Sequence, residues 1–384
     1  MSEPYFVDPF ELTKPADDRR ITVQNLHMSF MTASGEVKAI RGVDFHLDQG
    51  ETLAIVGESG CGKSATIQTI MRLNEEPPAK IKEGVIRYTH GDIDVDIAQL
   101  TNKEMQQYRG KEFSMIFQDA MTSLNPTTKV GKQVVEAIRK HTNKSYSEAK
   151  AEAIELFAKV GLPNPETVFD RFPHTMSGGQ RQRVMIAMAL SCNPAVLFAD
   201  EPTTALDVTI QSQILTLMDQ LKREQHMGII FITHNLGAVA RMADRVHVMY
   251  AGQFVEKGTL EEIFYEPKHP YTWGLLGSVP DLKGSKNRLI SIPGTPPDLF
   301  APPKGCAFAA RCPYAMEVCL EHDPDVTELG GTHTCRCWLL HPDCPIKVET
   351  PVGGGLYDRK NKPQPSGAQQ NNAQPAIADG KEEA

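Results

Sequence analysis

The run Thr52-Leu53-Ala54-Ile55-Val56 leads straight into Gly57-Glu58-Ser59-Gly60-Cys61-Gly62-Lys63-Ser64, and this junction limits the fold more than any other feature. A short apolar run of this kind suits a strand buried on both faces. The segment after it fits G-x-x-x-x-G-K-S. Its glycines let backbone amides curl around phosphate oxygens, in dihedrals that a side chain would forbid. From Ala65 to Leu73 the apolar residues recur with helical period. The amino end of that helix adds free N–H groups and the positive end of its dipole. Lys63 is expected to reach the β- and γ-phosphates of a nucleotide, and the Ser64 hydroxyl to hold Mg²⁺.

The remaining chain alternates strands with helices, which predicts an α/β fold around a parallel sheet. Ile21-Thr22-Val23, Lys38-Ala39-Ile40 and Val43 to Leu47 read as strands before the phosphate loop. Residues 133–161 and 180–191 read as helical, Val196 to Ala199 as a buried strand, Ile210 to Arg223 as a helix and Gly228 to Thr233 as a strand. The strand ending at Ala199 delivers Asp200 toward the Mg²⁺ and leaves Glu201 placed to polarise a water for in-line attack on the γ-phosphate. Upstream, Ser177-Gly178-Gly179-Gln180 opens a helix whose free amides suit an anion.

With the phosphate loop, SGGQ and Asp200-Glu201 in this order, the chain resembles an ABC-transporter ATPase over about residues 21–270. The resemblance implies a P-loop core with antiparallel-β and helical subdomains. It implies that Gln118 senses Mg²⁺ and meets a membrane partner, that His234 contacts the γ-phosphate, and that Asp207 belongs to the D-loop. Phe30 would stack on adenine, although an edge-strand core position is the plain alternative. Gly57 through Ala65 would line the ATP site, and Ser177 to Gln180 would face the ATP of a partner. Met176, Ala120 and Asn235 depart from the usual residues without removing a catalytic atom. The segments 200–215 and 121–137, with His269-Pro270-Tyr271-Thr272 and the Gly305-Cys306-Ala307-Phe308 to Arg311-Cys312-Pro313 stretch, are similar to the oligopeptide and dipeptide importer branch. That branch implies a second, related ATPase subunit in a heterodimer, two permease subunits and an extracellular or periplasmic peptide-binding protein.

Cysteine usage sets the end of the chain apart. Of 8 cysteines, Cys61 and Cys192 lie in the first 300 residues; Cys306, Cys312, Cys319, Cys335, Cys337 and Cys344 crowd together after a proline-rich stretch. Without a secretory signal such density reads as metal or redox chemistry. The spacing lacks the tight C-x-x-C of zinc ribbons. The family resemblance places a [4Fe–4S] cluster on Cys306, Cys312, Cys319 and Cys337, with zinc or free thiols as alternatives. The expected divisions are a lead over 1–20, an ATPase domain over 21–275 with a helical subdomain at about 119–176, a separate small Cys-rich extension over 276–347 with little regular structure, and a disordered tail over 348–384. The net charge of -8 argues against a nucleic-acid coat. No apolar run reaches the roughly 18 to 20 residues needed to span a bilayer. The chain is therefore expected at the cytoplasmic face of the membrane, held there by its permeases. The competing readings are a same-branch importer of nickel or another small solute, and a soluble ABC ATPase of DNA repair or translation. The absence of heptads between Ser64 and Ser177, and the single nucleotide core, speak against the last.

Overall fold

A computed structural model describes residues 18–119, 123–204, 206–278 and 292–348. The lead up to residue 17, the tail from 349, Ala120 and Ala205 lie outside the described residues. Strands β1 (Arg19–Thr32), β2 (Gly35–Asp48), β4 (Ala79–His90) and β5 (Ile93–Asp96) form an antiparallel sheet in the order β2-β1-β4-β5. Two short strands were expected between Lys38 and Leu47; the structure makes one strand of 14 residues. Gly42, at φ +74°, absorbs the irregularity, and the register against β1 shifts beside it.

The second sheet carries the chemistry. It contains β3 (Thr52–Val56), β6 (Phe113–Ile116), β7 (Val196–Asp200), β8 (Gly228–Ile232), β9 (Arg245–Tyr250), β10 (Gln253–Thr259), β11 (Thr327–Gly330) and β12 (His333–Cys335), ordered β11-β12-β10-β9-β3-β8-β7-β6. From β9 to β6 all pairings are parallel. Every residue of β3, β7 and β8 is buried, because cores lie against both faces of these central strands. Parallel strands discharge their loops at one shared edge. Hence the segments after β3, β6, β7 and β8 meet there, and with them Gly57–Ser64, Gln118, Glu201 and His234.

The expected helical stretch 133–161 divides into Val130–His141 and Tyr146–Lys159. Ser145 is the reason: its side chain accepts from the Glu148 N–H while Glu148 returns a bond to the Ser145 backbone, so a new helix starts there. The two helices bury Val134, Val135 and Ile138 with Ala149, Ala153 and Phe157 in one core with the helix Gly178–Leu190.

The end of the chain differs from the expected separate piece. Strand β12 pairs with β10 through Glu256↔Cys335 and Lys257↔Thr334, so the β11–β12 hairpin continues the main sheet. Strand β10 offers an otherwise open edge, and the hairpin satisfies its backbone groups. Glu256 anchors the junction. Its buried carboxylate accepts from the backbone N–H of Lys268 (2.6 Å) and His269 (3.0 Å) and pairs with His333 Nε2 (2.9 Å). These partners are remote in sequence, so local pattern could not announce them. Among the described residues no helix is long and apolar enough to cross a membrane.

Candidate active site

The phosphate loop follows β3 and ends at Gly62, which starts the helix Lys63–Ile70 from a left-handed conformation (φ +109°). A Cβ on Gly62 would stand 2.6 Å from the Ala39 carbonyl, and one on Gly57 2.2 Å from that of Met249. Both glycines are therefore demanded by close backbone approach. Ser59 and Gly60 form the exposed crest, Cys61 is buried beneath it, and Ser64 and Ala65 begin the helix half-buried. The Lys63 ammonium donates to the carbonyls of Gly57 (2.9 Å) and Glu58 (2.8 Å). Burial pushes the Cys61 thiol upward, opposed by Lys63. A buried, protonated thiol suits a packing role rather than a nucleophile.

Asp200 ends β7 and is buried. Burial raises its pKa, Ser64 opposes this by hydrogen-bonding the carboxylate, the Glu201 charge adds to the rise, and Lys63 opposes it. Its Oδ1 has no hydrogen-bond partner. A buried acceptor left open beside a serine hydroxyl fits Mg²⁺, whose ligands are hard oxygens.

Glu201 gathers the remaining groups. It has a positive φ of 47°, and its N–H donates to the Ile232 carbonyl of β8 at 2.8 Å. Its Oε1 lies 3.1 Å from His234 Nδ1; its Oε2 accepts from Thr204 Oγ1 at 3.0 Å and from Gln118 Nε2 at 3.4 Å. Three loops from three parallel strands thus converge on one carboxylate. Asn235 caps the helix Leu236–Met242, accepting from the N–H groups of Gly237 and Ala238. The altered residue beside His234 therefore has a local structural duty of its own.

Other expected residues stand elsewhere. Phe30 lies on β1 opposite Val37 and Ala79, half-buried against the core of the antiparallel sheet. Ser177 caps the helix Gly178–Leu190 in a reciprocal box with Gln180, and Gly178 and Gly179 form its first turn. The side chains at this helix start bond to Ser177, Arg171, Pro173 and Met176, all local to it. Asp207 caps the helix Val208–Gln225 by accepting from the Ile210 N–H.

Residues 40–204 match the ABC transporter family model, and residues 255–319 match that of the oligopeptide/dipeptide transporter C-terminal region. The chain is 59% identical over 334 residues to the oligopeptide transport ATP-binding protein OppD of Bacillus subtilis, covering 87% of this chain and 92% of that protein. The chain belongs to the family of ATP-binding subunits of oligopeptide and dipeptide ABC transporters. The dipeptide transport ATP-binding protein DppD of Lactococcus lactis is 52% identical over 86% of this chain and 93% of its own length. Among solved structures, a dimeric ATP-binding cassette in a post-hydrolysis state bound to ADP and Pi superposes with a TM-score of 0.57 at 25% identity. It covers 62% of this chain and 98% of its own. The ATP-binding cassette fold, with its mixed sheet and helices, is thereby established.

Three contacts in this cassette are not announced by the sequence. Gln182 of the signature helix is buried and donates to the Pro202 carbonyl at 2.6 Å, tying that helix to the turn after Glu201. The C-terminal region matched over 255–319 reaches the phosphate loop itself. Tyr271 Oη accepts from the Glu58 N–H at 2.8 Å, and Arg311 forks both Nη groups onto the Glu58 carboxylate at 2.5 and 2.9 Å. The motifs containing Tyr271 and Arg311 were visible as family marks, but nothing in them named Glu58 as the target.

Nothing in the arrangement of the cysteines supports the expected cluster. Cys306, Cys312, Cys319 and Cys337 are free thiols, and among the described residues no three His, Cys, Asp or Glu side chains form a group that could hold a metal ion. These four thiols are not gathered into such a group. They do lie within reach of one another's charge. Burial first, then the neighbouring thiols, pushes Cys306 and Cys337 up to about 12. Cys335, the proposed substitute, is buried in β12 and its thiol is pushed well up by burial.

Proposed function

We propose that this chain is the ATP-hydrolysing, energy-coupling subunit of a membrane importer for oligopeptides or dipeptides. The observation that carries the reading is the convergence of Gln118, Thr204 and His234 on the Glu201 carboxylate, beside the open Asp200 oxygen and the phosphate loop. Lys63 and the amides of Gly57 to Ala65 bind the ATP phosphates, and Phe30 meets the adenine. Ser64, Gln118 and Asp200 would hold Mg²⁺, which would neutralise charge on the β- and γ-phosphates. Glu201 takes up a proton from the attacking water, and His234, hydrogen-bonded to it, orients that carboxylate and contacts the γ-phosphate. The peptide cargo is supported by the relatives, which are named for oligopeptide and dipeptide transport. An importer of another small solute would show a different solute bound to the purified complex.

The same reading extends to the assembly. The Ser177 and Asp207 side chains make only the local cap bonds of their own helices, which suits a surface that completes a partner's site. A related second ATPase subunit, two permeases and a peptide-binding protein make up the rest, with this chain at the cytoplasmic face of the membrane. The ATPase domain runs over about 21–275, the helical subdomain near 119–176 receives the permease, and 276–347 is the importer extension. Cys306, Cys312, Cys319 and Cys337 are read as ligands of a [4Fe–4S] cluster. The four thiols lie within reach of one another's charge, and thiolates are the ligands that such a cluster takes.

The test is Glu201→Gln in the assembled transporter. ATP binding persists while turnover at this chain's site falls by roughly 100-fold or more. Turnover near that of the wild type, with the partner's site disabled separately, would overturn the assignment.

A further inference from the structure

Glu58 is an anomaly on electrostatic grounds. It places a carboxylate inside a loop whose task is to receive a polyanion, where like charges oppose each other and burial strengthens the effect. Its three polar groups are all engaged. The N–H donates to Tyr271 Oη, the carbonyl accepts from Lys63 Nζ, and the carboxylate takes the Arg311 fork. Tyr271 and Arg311 both come from the region that matches the oligopeptide/dipeptide transporter C-terminal family model, far along the chain. Arg311 is itself held rigidly. Its side chain is 5% exposed, its Nε donates to the Pro293 carbonyl at 2.7 Å, an Nη donates to Tyr250 Oη at 3.2 Å, and its guanidinium lies beside the rings of Tyr250 and Phe308. A bidentate guanidinium–carboxylate pair with one partner so fixed is a strong, directional contact.

We propose that Arg311 is a positioning residue for ATP: it cancels the Glu58 charge within the phosphate loop and, with Tyr271, fixes the peptide whose carbonyl holds Lys63. This rests on the reading of the loop as the ATP site. The C-terminal extension is then a working part of the nucleotide site. Losing Arg311 exposes the incoming phosphates to an unpaired carboxylate, whereas losing the Glu58 charge as well removes that repulsion.

A plain staple and a charge partner predict different outcomes. If the pair merely fastens the extension, Glu58→Gln and Arg311→Ala break the same contact and weaken ATP binding equally. If Arg311 cancels charge, Arg311→Ala is the worse of the two, and adding Glu58→Gln to it restores affinity. The experiment titrates the full chain with ATP, with a thermal melt for each variant. Arg311→Ala is expected to weaken ATP binding about tenfold, and the double variant Glu58→Gln/Arg311→Ala to recover most of that loss. Arg311→Lys keeps the charge without the fork and should lose a small part of what alanine loses. Equal losses in the two single variants, or a double variant no better than Arg311→Ala, overturn the proposal. If Arg311→Ala fails to fold, Arg311→Gln against Glu58→Gln decides in the same way: a larger loss in Arg311→Gln supports it and equal losses reject it. Lys63→Ala separates the two readings. Should it bind ATP as tightly as the wild type, the loop is not the ATP site and both fall; should it lose binding while the Arg311 variants keep it, this inference alone fails.

Discussion

Asp200 holds a charge where the protein offers few partners for it. Its pKa is raised by burial, so the ionised carboxylate is less comfortable in the folded chain than in the unfolded one. For an acid raised in this way the sign is adverse. The cost is full above the raised folded value, shrinks as pH falls through it, and is gone below the ordinary carboxylate value. Asp200→Asn should therefore stabilise the chain without nucleotide by on the order of 1 kcal/mol at neutral pH, while removing most Mg²⁺-dependent turnover. Thermal melts at neutral and at acidic pH check this: the gain should vanish on acidification, and a variant less stable than the wild type at neutral pH would contradict it. Residues of this kind were legible from sequence. Lys63, Ser64, Asp200, Glu201 and His234 sit at fixed places relative to apolar strands, and strand direction alone carries them to one edge. Arg311 and Gln182 were not legible as site neighbours, because a buried arginine or glutamine has no local pattern that names its distant partner.

The β11–β12 hairpin shows how an element can belong to two structures at once. Its inner strand completes the edge of the main sheet, and His333 pairs with the buried Glu256 carboxylate at 2.9 Å. Two residues past β12 comes Cys337. The expectation of a loose module failed here because the cysteine count and prolines drew attention to ligation, while three-residue strands are too short to show alternation. The anchoring makes the iron–sulfur reading sharper. Since Glu256 and β10 hold the hairpin without metal, serine at Cys306, Cys312, Cys319 or Cys337 should abolish bound iron and sulfide and loosen the 306–319 segment, yet leave the hairpin in place. Elemental analysis of anaerobically purified chain, with hydrogen exchange across both segments, is the measurement. Full-length chain free of iron and sulfide under those conditions would reject the cluster, and exchange lost from the hairpin too would reject its independence.

Taken whole, the molecule presents a phosphate loop and a signature helix that pack into different cores and bond separately. The Ser177 cap is closed upon Gln180, while Glu58 and Lys63 are bonded within and behind their own loop. On the proposed reading, each half-site would meet a facing subunit. Ser177→Arg should spare ATP binding by this chain and depress hydrolysis at the partner's phosphate loop by more than about tenfold, since a cap and an anion-facing helix start are lost together. Binding titrations on this chain beside turnover of the assembled pair distinguish the two, and unimpaired turnover at the partner's site would refute it. The Glu58–Arg311 pair has one more consequence, which concerns birth rather than turnover. Its members are separated by 253 positions in the chain. At synthesis rates of roughly 5 to 20 residues per second, the nucleotide loop emerges from the ribosome about 13 to 50 s before the arginine that balances its charge. During translation the loop therefore exists without its counter-charge, and a nascent chain acquires its finished nucleotide pocket only when nearly all of the described residues have been made.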